Sequence, residues 1–209
     1  MKKLLFTLLS LLILATPVLA RADASPVDFV RENSKQVLDV LKTENGRNTR
    51  KIRDQIETMV IPKFDFKRMT AFAVGKNWRV ATPGQQDELT NQFQTLLIRV
   101  YASTMTRYRN AQIDVKPNAV LNNNGAEATV RTEVTLPNSG NSQKPISVDY
   151  TLYKTSQGWR VYNVSVEGAS LVTAYRSQFD TEVRTNGVDG LIKSLKDKNA
   201  KLASQGSGA

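Results

Sequence analysis

The 209-residue chain contains no histidine and no cysteine. Without cysteine there is no disulfide, no thiolate nucleophile, and no zinc ribbon or iron–sulfur cluster. Without histidine there is no Ser-His-Asp triad and no imidazole metal ligand. Glycine-rich phosphate loops of the Walker or dinucleotide type are also missing. The nearest approach to a nucleophile elbow, Gly168-Ala169-Ser170-Leu171-Val172, fails at its last position, and no serine opens an S-x-x-K motif. Asp149 and Glu167 fall on strands, where carboxylates are usually solvated, so they make a poor acid–base couple. An EF-type calcium loop is absent too. The residues therefore argue against an enzyme.

What is present begins with a targeting pattern. Lys2 and Lys3 precede a nearly unbroken apolar run from Leu4 to Ala15, and small residues follow at Ala20, Ala22 and Ala24. This is the layout of a secretory signal peptide over residues 1–22, with cleavage expected after Ala22. The apolar run is short for a membrane span, which needs about 20 residues. The mature protein is expected to be exported and soluble.

Lys and Arg number 29 against 19 Asp and Glu. Losing Lys2, Lys3 and Arg21 with the leader leaves 26 basic residues and a net charge of +7. Export turns such a charge away from nucleic acid and towards membrane surfaces or acidic partners. The densest group is Arg47, Arg50, Lys51 and Arg53, followed by Lys63, Lys67 and Arg68. It is the candidate docking surface, although a solvated helix face explains such a run more simply.

Hydropathy divides the mature chain into helices, strands and helices again. Ser25-Pro26-Val27-Asp28 reads as an N-cap, a first-turn proline and an N3 acid, opening a helix that Gly46 stops. Ile52, Ile56, Met59 and Val60 mark a second helix ended by Pro62. Asp65 caps a short third one, with Phe64 and Met69 as its hydrophobic staple, and Gly75 closes it. Thr82-Pro83-Gly84-Gln85 starts a long helix whose apolar stripe runs about 27 residues, or roughly 40 Å. The period then changes to two. A weak edge strand lies between Ile113 and Leu121, interrupted by Pro117. Strands follow over Ala126–Leu136, Ile146–Leu152 and Trp159–Glu167, the first two joined by a polar turn from Asn138 to Lys144. Two helices come last, Ala169–Arg184 and Val188–Leu202, with residues 204–209 expected to be a disordered tail. The pattern predicts an α+β fold in residues 23–203: a twisted antiparallel sheet of about four strands with helices before and after it. Such a sheet and its helices enclose a cone, which either fills with its own side chains or holds an apolar ligand.

The residues that carry a resemblance now stand out. Met69, Gly75-Lys76-Asn77-Trp78-Arg79 and Thr82 to Tyr108 form one block. Val148-Asp149-Tyr150-Thr151-Leu152, Gly158-Trp159-Arg160-Val161-Tyr162 and Val166-Glu167-Gly168-Ala169-Ser170-Leu171-Val172, with Tyr175, Arg176 and Phe179, form another. Asn186-Gly187-Val188-Asp189-Gly190-Leu191-Ile192 and Leu195 complete the set. Together they resemble the MlaC family, also called the toluene-tolerance family of periplasmic phospholipid-binding proteins, across nearly all of the mature chain. Asn163, where aspartate is usual, and Ala169, where a larger aliphatic residue is usual, depart from the pattern.

The resemblance implies a modified NTF2-like fold and a periplasmic shuttle for phospholipid in a Gram-negative cell, with no cofactor. It implies a monomer that exchanges lipid with an outer-membrane lipoprotein–porin complex and with an inner-membrane ABC transporter carrying an MCE-domain subunit. Acyl chains would lie against Phe93, Leu97, Tyr101 and Met105 on the long helix. The sheet would contribute Val134, Val148, Tyr150, Leu152, Val164 and Val166, and the following helix Leu171 and Tyr175. The competing expectation is an exported interaction module whose cone is filled by its own side chains.

Overall fold

The structure is a computed structural model that describes residues 24–137 and 144–206. The leader and most of the Asn138–Lys144 turn lie outside the described residues.

Among the described residues, three of the five helices (α1, α3 and α4) start at the caps the sequence announces. α1 spans Pro26–Lys42, with the Ser25 hydroxyl accepting from the Asp28 amide at 3.0 Å. α2 spans Thr49–Val60, and α3 spans Phe66–Val74 behind an Asp65 cap that accepts from the Arg68 amide at 2.8 Å. Gly75 ends α3 at φ 64°, a left-handed backbone that costs glycine nothing. α4 spans Pro83–Met105 behind a reciprocal capping box: the Thr82 amide donates to Gln85 Oε1 at 2.9 Å and the Gln85 amide to Thr82 Oγ1 at 3.3 Å. A 3-10 turn over Thr106–Tyr108 finishes it.

The sheet is antiparallel and ordered β1-β3-β4-β5-β6, with β2 also paired to β3. The expected edge strand divides at Pro117 into β1 (Gln112–Val115) and β2 (Val120–Asn122). β3 (Glu127–Thr135), β4 (Ile146–Thr155) and β5 (Gly158–Val166) form a meander.

Ala169 does not open a helix, contrary to the hydropathy reading. Glu167 and Gly168 both take positive φ, 49° and 79°, and make a two-residue hairpin turn. β6 (Ala169–Ser170) therefore folds back on Val166 and Ser165. α5 starts later and spans Arg176–Gly206, with a break at Gly187 (φ 72°) where the sequence places the boundary between two helices. Its last turn runs through Ser204, which was expected to begin a loose tail.

The fully buried apolar residues fall into three clusters, the first two bridged by the half-buried Phe64. The largest cluster joins α3, α4 and α5 around Phe93, Leu89, Leu96 and Leu191, with Tyr162 from β5. A second holds Val27 and Val30 of α1 against Ala128, Val130, Leu152, Trp159 and Val161 of the sheet. A third, of Leu41, Ile52 and Ile56, belongs to the α1–α2 hairpin alone.

Candidate functional site

Alternation along the strands sends Ala128, Val130, Thr132 and Val134 of β3 to one face. Register pairs them with Leu152, Tyr150, Val148 and Ile146 of β4. On β5 a bulge at Tyr162 resets the alternation, so that Val161 pairs with Leu152, Val164 with Tyr150 and Val166 with Val148. One face thus carries an apolar row across four strands, Ile113–Val134–Ile146 at one level and Val148–Val166 at the next.

The two ends of this face are covered differently. At one end Leu152, Ala128 and Val130 are fully buried under the first turns of α1. At the other, Ile113, Val134, Ile146, Val148 and Val166 are only half-buried and join none of the three clusters.

α1 rises along the face from the covered end to the open one, and its contacts mark the path. The Trp159 indole donates to the Ala24 carbonyl at 2.9 Å at the start. Midway, the Tyr150 hydroxyl meets Ser34, and burial raises the Tyr150 pKa. Beyond Ser34, the residues Val37, Leu38 and Leu41 turn to α2. Those three side chains therefore belong to the hairpin's own cluster, and the upper row of the sheet stays half-buried.

The residues proposed from sequence divide between this sheet face and the helical cluster. Val134, Val148, Tyr150, Val164 and Val166 stand on the half-buried face, and Leu152 on its sealed end. The Leu171 amide donates to the Val164 carbonyl at 2.8 Å, beside that face. Phe93, Leu97, Tyr101 and Tyr175 lie in the helical cluster instead. There the Phe93 ring meets Tyr175 edge-on at 5.2 Å and Phe179 at 5.3 Å. Tyr175 has its pKa raised to about 12 by burial, then by its neighbour Tyr101, to which it is hydrogen-bonded. The Met105 side chain lies outside the described residues. Sequence reading left out Ile113, Ile146 and Ser34. Ile146 was visible in its alternation with Val148, whereas Ser34 is found only once α1 is laid on the sheet.

The opposite side is mixed in character. A depression of about 400 Å³ is lined by Phe64, Phe66, Asp65, Lys67, Arg160 and Gln157 among others. Beside it the Arg68 guanidinium sits 3.9 Å from the Tyr162 ring centroid and 4.4 Å from that of Tyr153, and it pairs with Glu127 at 2.5 Å. Arg68 is thus engaged inside the fold, and Lys67 pairs with Asp87 at 3.0 Å. Arg47, Arg50 and Lys51 on the hairpin are exposed. Arg53 is half-buried, as is Lys63 at the end of the 3-10 turn after α2. Arg53 faces the Glu57 carboxylate one turn on, and the other four form no ion pair among the described residues. Asp149 Oδ2 lies 3.9 Å from Arg131 while its buried Oδ1 has no hydrogen-bond partner among the described residues, and Glu167 accepts from the Ser147 amide at 2.5 Å, so the two carboxylates do not pair with each other. Among the described residues no group of acidic side chains is arranged to hold a metal ion, and no helix is long and apolar enough to cross a membrane.

The chain is similar to known proteins in fold and sequence. A Ralstonia solanacearum phospholipid-binding protein, solved in complex with a phospholipid at 1.53 Å, superposes with a TM-score of 0.72. It is 32% identical, and the match covers 86% of this chain and 99% of that one. The toluene tolerance protein ttg2D of Pseudomonas putida is 29% identical over 185 residues, 87% of this chain and 83% of the relative. The model of the MlaC protein family matches residues 31–197, from the middle of α1 through the break at Gly187 and into the last stretch of α5. With both the sheet and its flanking helices inside that match, the chain belongs to the MlaC family.

Proposed function

We propose that this protein is a periplasmic phospholipid carrier that holds acyl chains in a slot between the upper sheet face and the α1–α2 hairpin. The observation that carries the reading is the half-buried row Ile113–Val134–Ile146 with Val148 and Val166, apolar across four strands and left out of every buried cluster. Each methylene moved from water to such a surface is worth about 0.8 kcal/mol, so a slot of this kind can hold a chain drawn from a bilayer. A headgroup left at the mouth stays hydrated, which avoids burying a phosphate charge. The phospholipid bound by the Ralstonia relative supports the choice of ligand. The chemistry is binding rather than catalysis, and no cofactor enters it.

The carrier works between membranes, as a monomer after export. It receives and delivers lipid at an outer-membrane lipoprotein–porin complex and an inner-membrane ABC transporter with an MCE-domain subunit. The exposed cations of the hairpin, Arg47, Arg50 and Lys51, are its docking charges, with Arg53 and Lys63 beside them. Arg68 contributes less, because the part-buried Glu127 already holds it, and Lys67 stands in an exposed pair with Asp87.

Native mass spectrometry and organic extraction of protein purified from a bacterial envelope test the ligand. Phospholipid is expected at a fixed ratio to protein. Stable lipid-free protein that takes up nothing from liposomes would instead make the domain an interaction module.

A further inference from the structure

We infer that the ion pair between Glu44 and Arg109 is a releasable latch on the lipid slot, and that α1 with α2 is the flap it holds. The inference rests on the lipid reading above and adds how that site opens.

Among the described residues, three polar contacts tie α1 and the turn after it to the sheet side, and they differ in kind. At the first, Ala24 accepts from the Trp159 indole beside the buried Val27 and Val30. At the second, Ser34 faces the Tyr150 hydroxyl. At the third, beyond the end of the helix, Glu44 accepts from Arg109 at 3.1 Å. The first sits in an apolar cluster. The third depends on one guanidinium whose side chain is 50% exposed.

Glu44 is built into the turn as a fixed receptor. Its carboxylate accepts from the Gly46 amide at 2.6 Å and the Thr49 hydroxyl at 2.9 Å, and its side chain is only 6% exposed. The Gly46 amide is the main cause, ahead of Thr49 and Arg109, that holds its pKa below the ordinary value. Asn48 completes the turn, accepting from the Asn45 amide and donating to the Thr43 carbonyl, both at 3.0 Å. The turn therefore keeps its shape whether or not Arg109 is bound.

The hairpin is also able to move as one body. It has its own small core, Leu41 with Ile52 and Ile56, and α1 is unbroken from Pro26 to Lys42. From Val27 to Glu44 the lever is about 25 Å long at 1.5 Å per residue. A tilt of about 15° pivoting on the Trp159 end would lift the tip by about 6 Å, enough to admit an acyl chain. Arg109 stands just before β1, whose Ile113 begins the half-buried apolar row, so the latch closes the open end of the slot.

The test uses Arg109→Ala, with Arg109→Lys as the rescue, because Glu44 and its turn stay intact in both. The chain has no cysteine, so Val148→Cys supplies a unique thiol on the row. Its labelling rate by a thiol reagent reads slot opening directly, in lipid-free protein. Arg109→Ala is expected to raise the labelling rate about threefold to tenfold, the effect of losing one exposed charge-assisted bond, and Arg109→Lys to restore most of it. Release of fluorescent phospholipid to acceptor vesicles should quicken by a similar factor. Unchanged labelling in Arg109→Ala overturns the latch. Faster labelling in a protein that takes up no phospholipid keeps the latch and overturns the lipid reading instead.

Discussion

Val161 and Val164 point to the same face of the sheet although they are three residues apart, because Tyr162 is the extra residue of a bulge. The bulge also turns the Tyr162 ring to the other side, where it stacks on Phe72 at 5.6 Å and lies under the Arg68 guanidinium. One residue thus sets the apolar row and ties β5 to α3. Tyr162→Phe keeps the ring and should leave stability near that of the parent. Tyr162→Ala opens a cavity and removes the cation–π partner, with an expected loss of about 3–5 kcal/mol. Thermal denaturation of the two variants checks this, and equal losses in both would assign the stabilisation to the hydroxyl.

The two ends of the sheet face should respond differently to the same change. Val148→Arg and Ile146→Arg place a charge where the surface is half open, so the proteins should fold and lose phospholipid loading. Leu152→Arg places it where the residue is fully buried, and should unfold the domain because the guanidinium finds no partner there. Circular dichroism separates folding from loading. A folded Val148→Arg protein that carries lipid as the parent does would move the slot away from this face.

The helices and strands were legible because their signals are local. Asp65, the Thr82–Gln85 box and Gly187 each announce a boundary in the chain itself, and each is found there. The alternation of Ala128, Val130 and Thr132 likewise shows which side of β3 is buried. What was not legible depends on pairing at a distance. The hairpin at Glu167-Gly168 was read as the approach to a helix, because positive φ at a non-glycine residue is not written in composition. The division of Phe93, Leu97, Tyr101 and Tyr175 from the sheet valines has the same origin. An apolar stripe states that a surface is covered, but not by which neighbour.

Alkaline pH should weaken the helical cluster through Tyr175. Its pKa is raised to about 12 from an ordinary value of 10.0, so the folded state holds the neutral hydroxyl. The stability this contributes is complete below the unfolded pKa and is lost as pH rises through the folded one, a window of about 10 to 12. Tyr175→Phe keeps the edge-on ring contact with Phe93 and cannot ionise. Melting temperatures of parent and variant should therefore converge or cross between pH 9 and about 11.5. Parallel curves across that range would show that Tyr175 ionises as easily in the folded protein as in the unfolded chain.

The hairpin charges give the last prediction. Arg50 and Lys51 are exposed on α2, away from its buried Ile52 and Ile56, and neither has a carboxylate partner among the described residues. Reversing both, Arg50→Glu with Lys51→Glu, leaves the slot and the Glu44–Arg109 pair untouched, so lipid retention should not change. Docking on an acidic partner or an anionic bilayer should slow instead, because such charges act on encounter more than on the bound state. Their reach is about 8 Å at physiological ionic strength and about 30 Å at 0.01 M. The difference between parent and variant in transfer rate to anionic vesicles should therefore be large at low salt and fade as salt is added. A difference that persists at high salt would point to a local contact made by these side chains, and no difference at low salt would remove them from docking.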